Sequence, residues 1–260
     1  MKITAIAALA GAACAANAQV GAAVSANAAN DNFTSETITV DPGYDGNAML
    51  ETWGAGDMFG ITSRPDASGT PNGLPFAIAD DSLFGFPGDS QGIVDENDNC
   101  RFFGVVDSVN GSNPGNGGTA VWTFDITGAG ALSINIDFAA MGDFEAADVH
   151  LFEVDIDGGG FTTLFEASIN ESGSQDYTMA DGGVYTVDDP MSMNGTLLNN
   201  NFQPPSAAVA GSGSTLTLRY AGTSDGGTEA FAFRNIVVVP TPGALALIGL
   251  GGLTAIRRRR

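Results

Sequence analysis

Five acidic residues stand in two short segments that a folded chain could bring together. Asp143, Glu145 and Asp148 follow a strongly alternating apolar segment, while Asp225 and Glu229 precede another. Carboxylate oxygens are preferred ligands of Ca²⁺, which takes about six to eight oxygens. If folding brings the segments together, the carboxylates repel one another unless a divalent cation binds between them. The pattern therefore predicts a calcium site, with a solvated acidic surface as the alternative.

Two further acidic stretches carry calcium-ligand residue types. Residues 95–98 contain three acids and an asparagine, and residues 155–166 imitate the ligand spacing of an EF-hand loop. Gly159, however, stands where that loop needs another oxygen ligand. Because the flanks alternate like strands, the sequence favours a hairpin that turns at Asp157.

A possible nucleophile occurs at Ser90, within a Gly-Asp-Ser-Gln-Gly stretch that matches the G-x-S-x-G pattern. That pattern needs a strand before the serine and a helix after it, but Pro87 precedes it and no helical signal follows. The only histidine, His150, continues an apolar row with Phe152 and Val154, which predicts a histidine at the edge of the core. A secreted hydrolase that uses Ser90 therefore stays an alternative, and the protein is expected not to be an enzyme.

The charge balance excludes several classes of partner. The chain has 30 acidic and 9 basic residues and a net charge of −21. Only four arginines lie between residues 19 and 239, which contain all the acids. Nucleic acid is excluded as a partner because binding phosphates needs clustered cations. Because 43% of the residues are hydrophobic, the composition also excludes a disordered chain.

The amino-terminal residues have the layout of a secretory signal peptide. Lys2 is followed by the small and apolar residues 3–16, and Ala16 and Ala18 form an A-x-A cleavage site. We therefore expect residues 1–18 to be removed, which leaves Gln19 first. A lipoprotein acylated at Cys14 is the alternative.

The carboxyl-terminal residues 240–260 form a separate tail. Pro240 and Pro242 precede an uncharged segment, residues 244–256. A helix there would be about 20 Å long, shorter than the hydrocarbon core of roughly 30 Å. Flanking arginines stay cytoplasmic, which would leave the preceding domain outside the cell membrane. The arginines at the end of the tail are Arg257, Arg258, Arg259 and Arg260.

This tail resembles the PEP-CTERM sorting signal of bacterial surface proteins, although Thr241 stands where the family name implies Glu. The resemblance implies a membrane partner and processing by an exosortase-type enzyme. It covers about the last twenty residues only. A plain single-span anchor is the alternative.

The region between the two ends alternates with period two and shows almost no helical period. The alternation is clearest around residues 121–126, 132–138, 150–156 and 215–220, and Asp-Gly-Gly triplets predict hairpin turns between strands. Residues 19–239 are therefore expected to form one all-β domain, a two-sheet antiparallel β-sandwich of the jelly-roll type. Residues 110–118 are a candidate loop or hinge within it. The three triplets begin at Asp157, Asp181 and Asp225.

Three segments, 102–107, 141–145 and 226–236, resemble the galactose-binding-like jelly-roll modules of secreted bacterial proteins. Such modules bind glycans, bind calcium or space other domains. A carbohydrate-binding module would present aromatic side chains on an exposed face, and the candidates are Trp53, Tyr177 and Tyr185.

Together these features predict an exported, cell-surface-sorted, non-enzymatic β-sandwich protein. Calcium is the expected ion, and a membrane and a sorting enzyme are the expected partners. An extracellular glycan is the partner in the carbohydrate-binding alternative.

Overall fold

The computed structural model describes residues 36–40, 50–51, 58–62, 93, 102–111 and 117–240. The candidate hinge at 110–118 is described only at its two ends. The predicted features outside the described residues are the signal peptide 1–18 with Ala16 and Ala18, Trp53, Ser90, the acidic run 95–98, Pro242 and residues 257–260.

Fifteen strands form the described part of the chain, and no helix occurs there. A helix with the length and apolarity to cross a bilayer is likewise absent from these residues. The strands are β1 (Glu36–Val40), β2 (Leu50–Glu51), β3 (Met58–Thr62), β4 (Phe102–Val106), β5 (Gly118–Asp125), β6 (Leu132–Gly142), β7 (Val149–Ile156), β8 (Thr162–Ile169), β9 (Ser174–Thr178), β10 (Val184–Asp188), β11 (Met191–Met193), β12 (Thr196–Leu197), β13 (Ser206–Val209), β14 (Thr215–Thr223) and β15 (Glu229–Pro240).

The strands form two large antiparallel sheets. The seven-stranded sheet has the order β1-β5-β14-β7-β8-β11-β12, and the six-stranded sheet has the order β13-β6-β15-β4-β3-β2. Strands β9 and β10 pair as a separate hairpin. Both large sheets contribute to one apolar core, as in a β-sandwich. The predicted all-β fold with antiparallel sheets is therefore confirmed for the described residues.

Alternating side chains explain how the core forms. In β5, Trp122 and Phe124 are fully buried, whereas their neighbours on the strand are half-buried or exposed. The ring of Phe152 in β7 packs against Phe233 in β15, with 5.0 Å between centroids, and so joins the two sheets. Phe138 in β6 packs on Phe152 at 5.2 Å. Such pairs each contribute about 0.5–1.5 kcal/mol beyond the burial of their surface.

Two of the three predicted hairpin turns are present. Asp157 (φ 54°) and Gly158 (φ 78°) turn the chain between β7 and β8, and Gly182 (φ 82°) lies in the turn between β9 and β10. The hairpin predicted at Asp225 is wrong because β14 and β15 lie in different sheets. That segment is a crossover from the seven-stranded to the six-stranded sheet.

Candidate metal centre

Two crossovers between the sheets meet at one end of the sandwich. Residues 143–148 lead from β6 to β7, and residues 224–228 lead from β14 to β15. The amide of Asp225 donates a hydrogen bond to Asp148 Oδ1 (3.3 Å). The amide of Asp143 donates to the Thr228 carbonyl (3.4 Å). The two predicted acidic segments therefore lie side by side.

Four carboxylates come together where these crossovers meet. Glu145, Asp148, Asp225 and Glu229 each present an oxygen, and these four oxygens lie within 4.8 Å of one another. Glu145 and Asp225 are exposed, whereas Asp148 and Glu229 are buried, with 7% and 0% of their surface accessible. The group is thus open to solvent on one side and closed on the other.

Hydrogen bonds fix the two buried carboxylates. Glu229 Oε1 accepts from the Ser224 hydroxyl (2.8 Å) and from the Gly226 amide (2.7 Å). Asp148 Oδ2 accepts from the Glu145 amide (2.8 Å). Glu229 Oε2 is buried and has no hydrogen-bond donor among the described residues. A buried polar atom without a partner is costly, so this oxygen needs either a proton or a cation.

The pKa values of these carboxyl groups also indicate that the group needs a proton or a cation. Desolvation, followed by the neighbouring Asp148 carboxyl, raises the pKa of Glu229 from 4.5 to about 10. Burial also raises the pKa of Asp148, and burial together with the Asp148 charge raises the pKa of Glu145. These shifts have one physical cause, which is that several negative charges share a partly dry volume.

The described arginines lie with other acids. Arg219 Nε donates to Glu153 Oε2 (3.0 Å), and Arg234 Nε lies 3.9 Å from Asp137 Oδ2. Both pairs lie within paired strands, Arg219 opposite Glu153 and Arg234 opposite Asp137, whereas the carboxylate group lies where these strands meet the two crossovers. Among the described residues, therefore, neither guanidinium supplies the positive charge that these four carboxylates lack.

The four oxygens lie close enough together to share one ion. All of them lie within 4.8 Å of one another. Calcium binds oxygens at about 2.3–2.6 Å and magnesium at about 2.0–2.1 Å, so a single ion could contact carboxylates from both crossovers. The group could therefore hold a metal ion.

Asp143, which was also predicted as a ligand, is not among these four carboxylates. It lines a separate polar cleft of about 420 Å³ with Glu171, Asp188 and Asp189. Asp143 is exposed just after the end of β6, and the next side chain, Phe144, is fully buried. The supporting groups Ser224 and Gly226 were missed, and only their position beside Asp225 could have indicated them.

The histidine considered for catalysis and the tyrosines considered for glycan binding are buried or partly buried. His150 is buried, its Nδ1 lies 2.7 Å from the Tyr220 hydroxyl oxygen, and burial lowers its pKa to about 3. Tyr177 is 1% exposed and Tyr185 is partly buried against the core. The prediction of an exposed aromatic is therefore wrong for Tyr177, whose ring lies in the core, whereas Tyr185 is half-buried and remains a candidate.

Comparisons with known proteins provide no family. No family model matches the chain, and no curated protein matches it. Among solved structures, 80% of the chain aligns with 19% of the enzymatically active domain of tailspike protein 4 from bacteriophage CBA120, at 13% identity and a TM-score of 0.30. Likewise, 86% of it aligns with 30% of the Clostridium thermocellum endo-1,4-β-D-xylanase 10B CBM22-1–GH10 structure complexed with xylohexaose, at 8% identity and a TM-score of 0.32. The chain thus spans less than a third of either protein.

Proposed function

We propose that this chain is an exported, cell-surface-sorted, non-enzymatic β-sandwich of the jelly-roll type that is held together by a structural calcium ion. Glu145, Asp148, Asp225 and Glu229 hold the ion. The observation that carries the proposal is Glu229 Oε2, a buried oxygen that belongs to this group of four carboxylates and has no donor among the described residues.

A calcium ion stabilises the sandwich because it bridges two crossovers. Glu145 and Asp148 belong to the β6–β7 connection, whereas Asp225 and Glu229 belong to the β14–β15 connection. An ion between them replaces mutual repulsion by attraction and links both sheets at one end. Because it binds the folded state only, it raises the free energy of unfolding with its concentration.

Export and sorting rest on the two ends of the sequence. Residues 1–18 have the layout of a signal peptide, and residues 240–260 resemble a sorting tail. The expected partners are a membrane and an exosortase-type enzyme. A strongly acidic domain that uses calcium fits an extracellular location, where weak calcium sites of about 10⁻⁴–10⁻³ M are common.

Calorimetric titration of the full-length protein with calcium tests the proposed ion. We expect one ion per chain, binding that is lost in Glu229→Gln and Asp148→Asn, and much weaker binding of magnesium. The matched control is Asp143→Asn, which removes an acid from the same loop but outside the group. Equal loss of binding in Asp143→Asn and Glu229→Gln would show that calcium responds only to total charge.

A further inference from the structure

Asp189, the residue before Pro190, has an uncommon backbone conformation. It joins β10 to β11, and it has φ 53°, in the left-handed region that residues other than glycine rarely adopt. The ring of a following proline also pushes the preceding residue towards extended conformations. Both preferences oppose the conformation that Asp189 adopts.

Contacts on both sides of the bond hold this conformation. The amide of Asp189 donates to the Gly173 carbonyl (3.0 Å), and the Asn170 amide donates to the Pro190 carbonyl (3.1 Å). Pro190 is buried. Strained backbone persists only where the surrounding structure imposes it, and such sites are often functional.

The carbonyl of Asp189 is also polarised. Its oxygen accepts a hydrogen bond from the Phe144 amide at 3.3 Å. A backbone N–H in this position stabilises negative charge that develops on a carbonyl oxygen when a nucleophile attacks the carbon. The nearest nucleophile of suitable type is the carboxylate of Asp189 itself.

Other carboxyls surround the same bond from three elements. Burial raises the pKa of Asp189, and three neighbouring charges raise it further. They belong to Asp143 on the β6–β7 connection, Asp188 in β10 and Glu171 after β8. These four residues line the open polar cleft of about 420 Å³. The cleft is open to solvent, so water can reach the Asp189–Pro190 bond.

We propose that Asp189–Pro190 is a self-cleavage site, at which the side chain of Asp189 breaks the peptide bond that follows it. This proposal does not depend on the calcium ion. It rests on the left-handed Asp189, its hydrogen-bonded carbonyl and the open acidic cleft beside it.

The chemistry is a hydrolysis in two steps. A carboxylate oxygen of Asp189 attacks its own main-chain carbonyl carbon and forms a five-membered cyclic anhydride. The C–N bond breaks, its electron pair stays on the Pro190 nitrogen, and a hydronium ion of the mildly acidic solvent supplies the proton that makes this nitrogen a secondary amine. Water then opens the anhydride to two carboxyl groups and returns that proton. The overall reaction consumes one water molecule and needs no oxidant or other reactant.

The two products stay in one folded particle. The part after Pro190 contains β11 and β13–β15, which pair with β8, β6, β5, β7 and β4 of the part before it. Cleavage relieves the conformation of Asp189 and leaves a new carboxylate beside Asp143, Asp188 and Glu171. Repulsion among these groups opposes religation, so the cut is effectively irreversible.

The chain contains its own matched control, because Asp41–Pro42 is a second Asp-Pro bond. The full-length protein is incubated at about pH 5, folded or in urea, and the fragments are separated by denaturing electrophoresis and sequenced from their amino termini. In the folded protein we expect a new terminus at Pro190 to form at least about tenfold faster than one at Pro42, equivalent to about 1.4 kcal/mol in the barrier. In urea the two rates become equal.

Two variants complete the experiment. Asp189→Asn keeps the shape of the side chain and tolerates the left-handed conformation, but it lacks the attacking carboxylate, so cleavage at this position stops. Asp41→Asn leaves cleavage at Pro190 unchanged. Equal rates at the two bonds in the folded protein, or cleavage at Pro190 only after unfolding, would overturn the proposal.

Discussion

Replacing Glu229 by glutamine separates calcium binding from every other role of this side chain. Glutamine is nearly isosteric and keeps a carbonyl oxygen that can accept from Ser224 and Gly226, as Glu229 Oε1 does. It removes the charge at Oε2, the buried oxygen without a donor in the described structure. Without calcium, the variant should match the native protein near pH 4.5 and be more stable at neutral pH, because burial and Asp148 force the native Glu229 to take up a proton when the chain folds there.

With calcium the two proteins should differ strongly. An ion that binds only the folded state adds about 2.7 kcal/mol to the free energy of unfolding at a hundredfold excess over Kd. For a domain of this size, 1 kcal/mol shifts Tm by about 2–4 °C. We therefore expect calcium to raise the Tm of the native protein by about 5–11 °C and that of Glu229→Gln by much less.

Scanning calorimetry in calcium, in chelator and in sodium chloride of matched ionic strength measures this difference. The sodium sample corrects for general screening of the acidic surface. Asp143→Asn, in the same loop, should keep the full calcium shift. A calcium shift no larger than the sodium shift, or one that survives in Glu229→Gln, would refute the metal site.

Four further expectations follow from the same structure and sequence. The raised pKa of Glu229 stabilises the calcium-free fold fully below about pH 4.5, and this contribution is lost progressively as the pH rises towards about 10. Urea midpoints in chelator should therefore fall between pH 5 and pH 8, and calcium or Glu229→Gln should flatten that slope. Gly142→Ala should destabilise the fold by about 1–3 kcal/mol in urea unfolding, because the added Cβ would lie 2.3 Å from the Glu229 Cα. Amino-terminal sequencing of exported protein should begin at Gln19, whereas a lipid-modified Cys14 would contradict the signal-peptide prediction. Deleting residues 240–260 should release a folded, β-rich protein into the medium by circular dichroism and fractionation, and failure to fold would show that the tail belongs to the domain.

The long strands of this fold could be predicted because their sequences alternate. Strands β5, β7 and β14 each bury every second residue, and period two is a local property of the chain. Strand β4 is buried at all five positions, so it has no alternation and gave only a weak signal. Short strands such as β11 and β13 were missed because their few residues become strands only when β8 and β6 pair with them.

The candidate metal site, too, could be predicted only in part from the sequence. Residue types alone identified the two acidic segments, because only oxygen-rich clusters suit a hard cation. Which carboxylates meet was decided by the two crossovers between the sheets, which bring Asp148 to Glu229 and leave Asp143 in another cleft. Sequence spacing carries no information about that choice, since it depends on contacts between residues about 80 positions apart. The burial that raises the pKa of Glu229 likewise arises only when both sheets close over it. The composition therefore determined that this protein is acidic, and the tertiary structure determined where its carboxylates are concentrated.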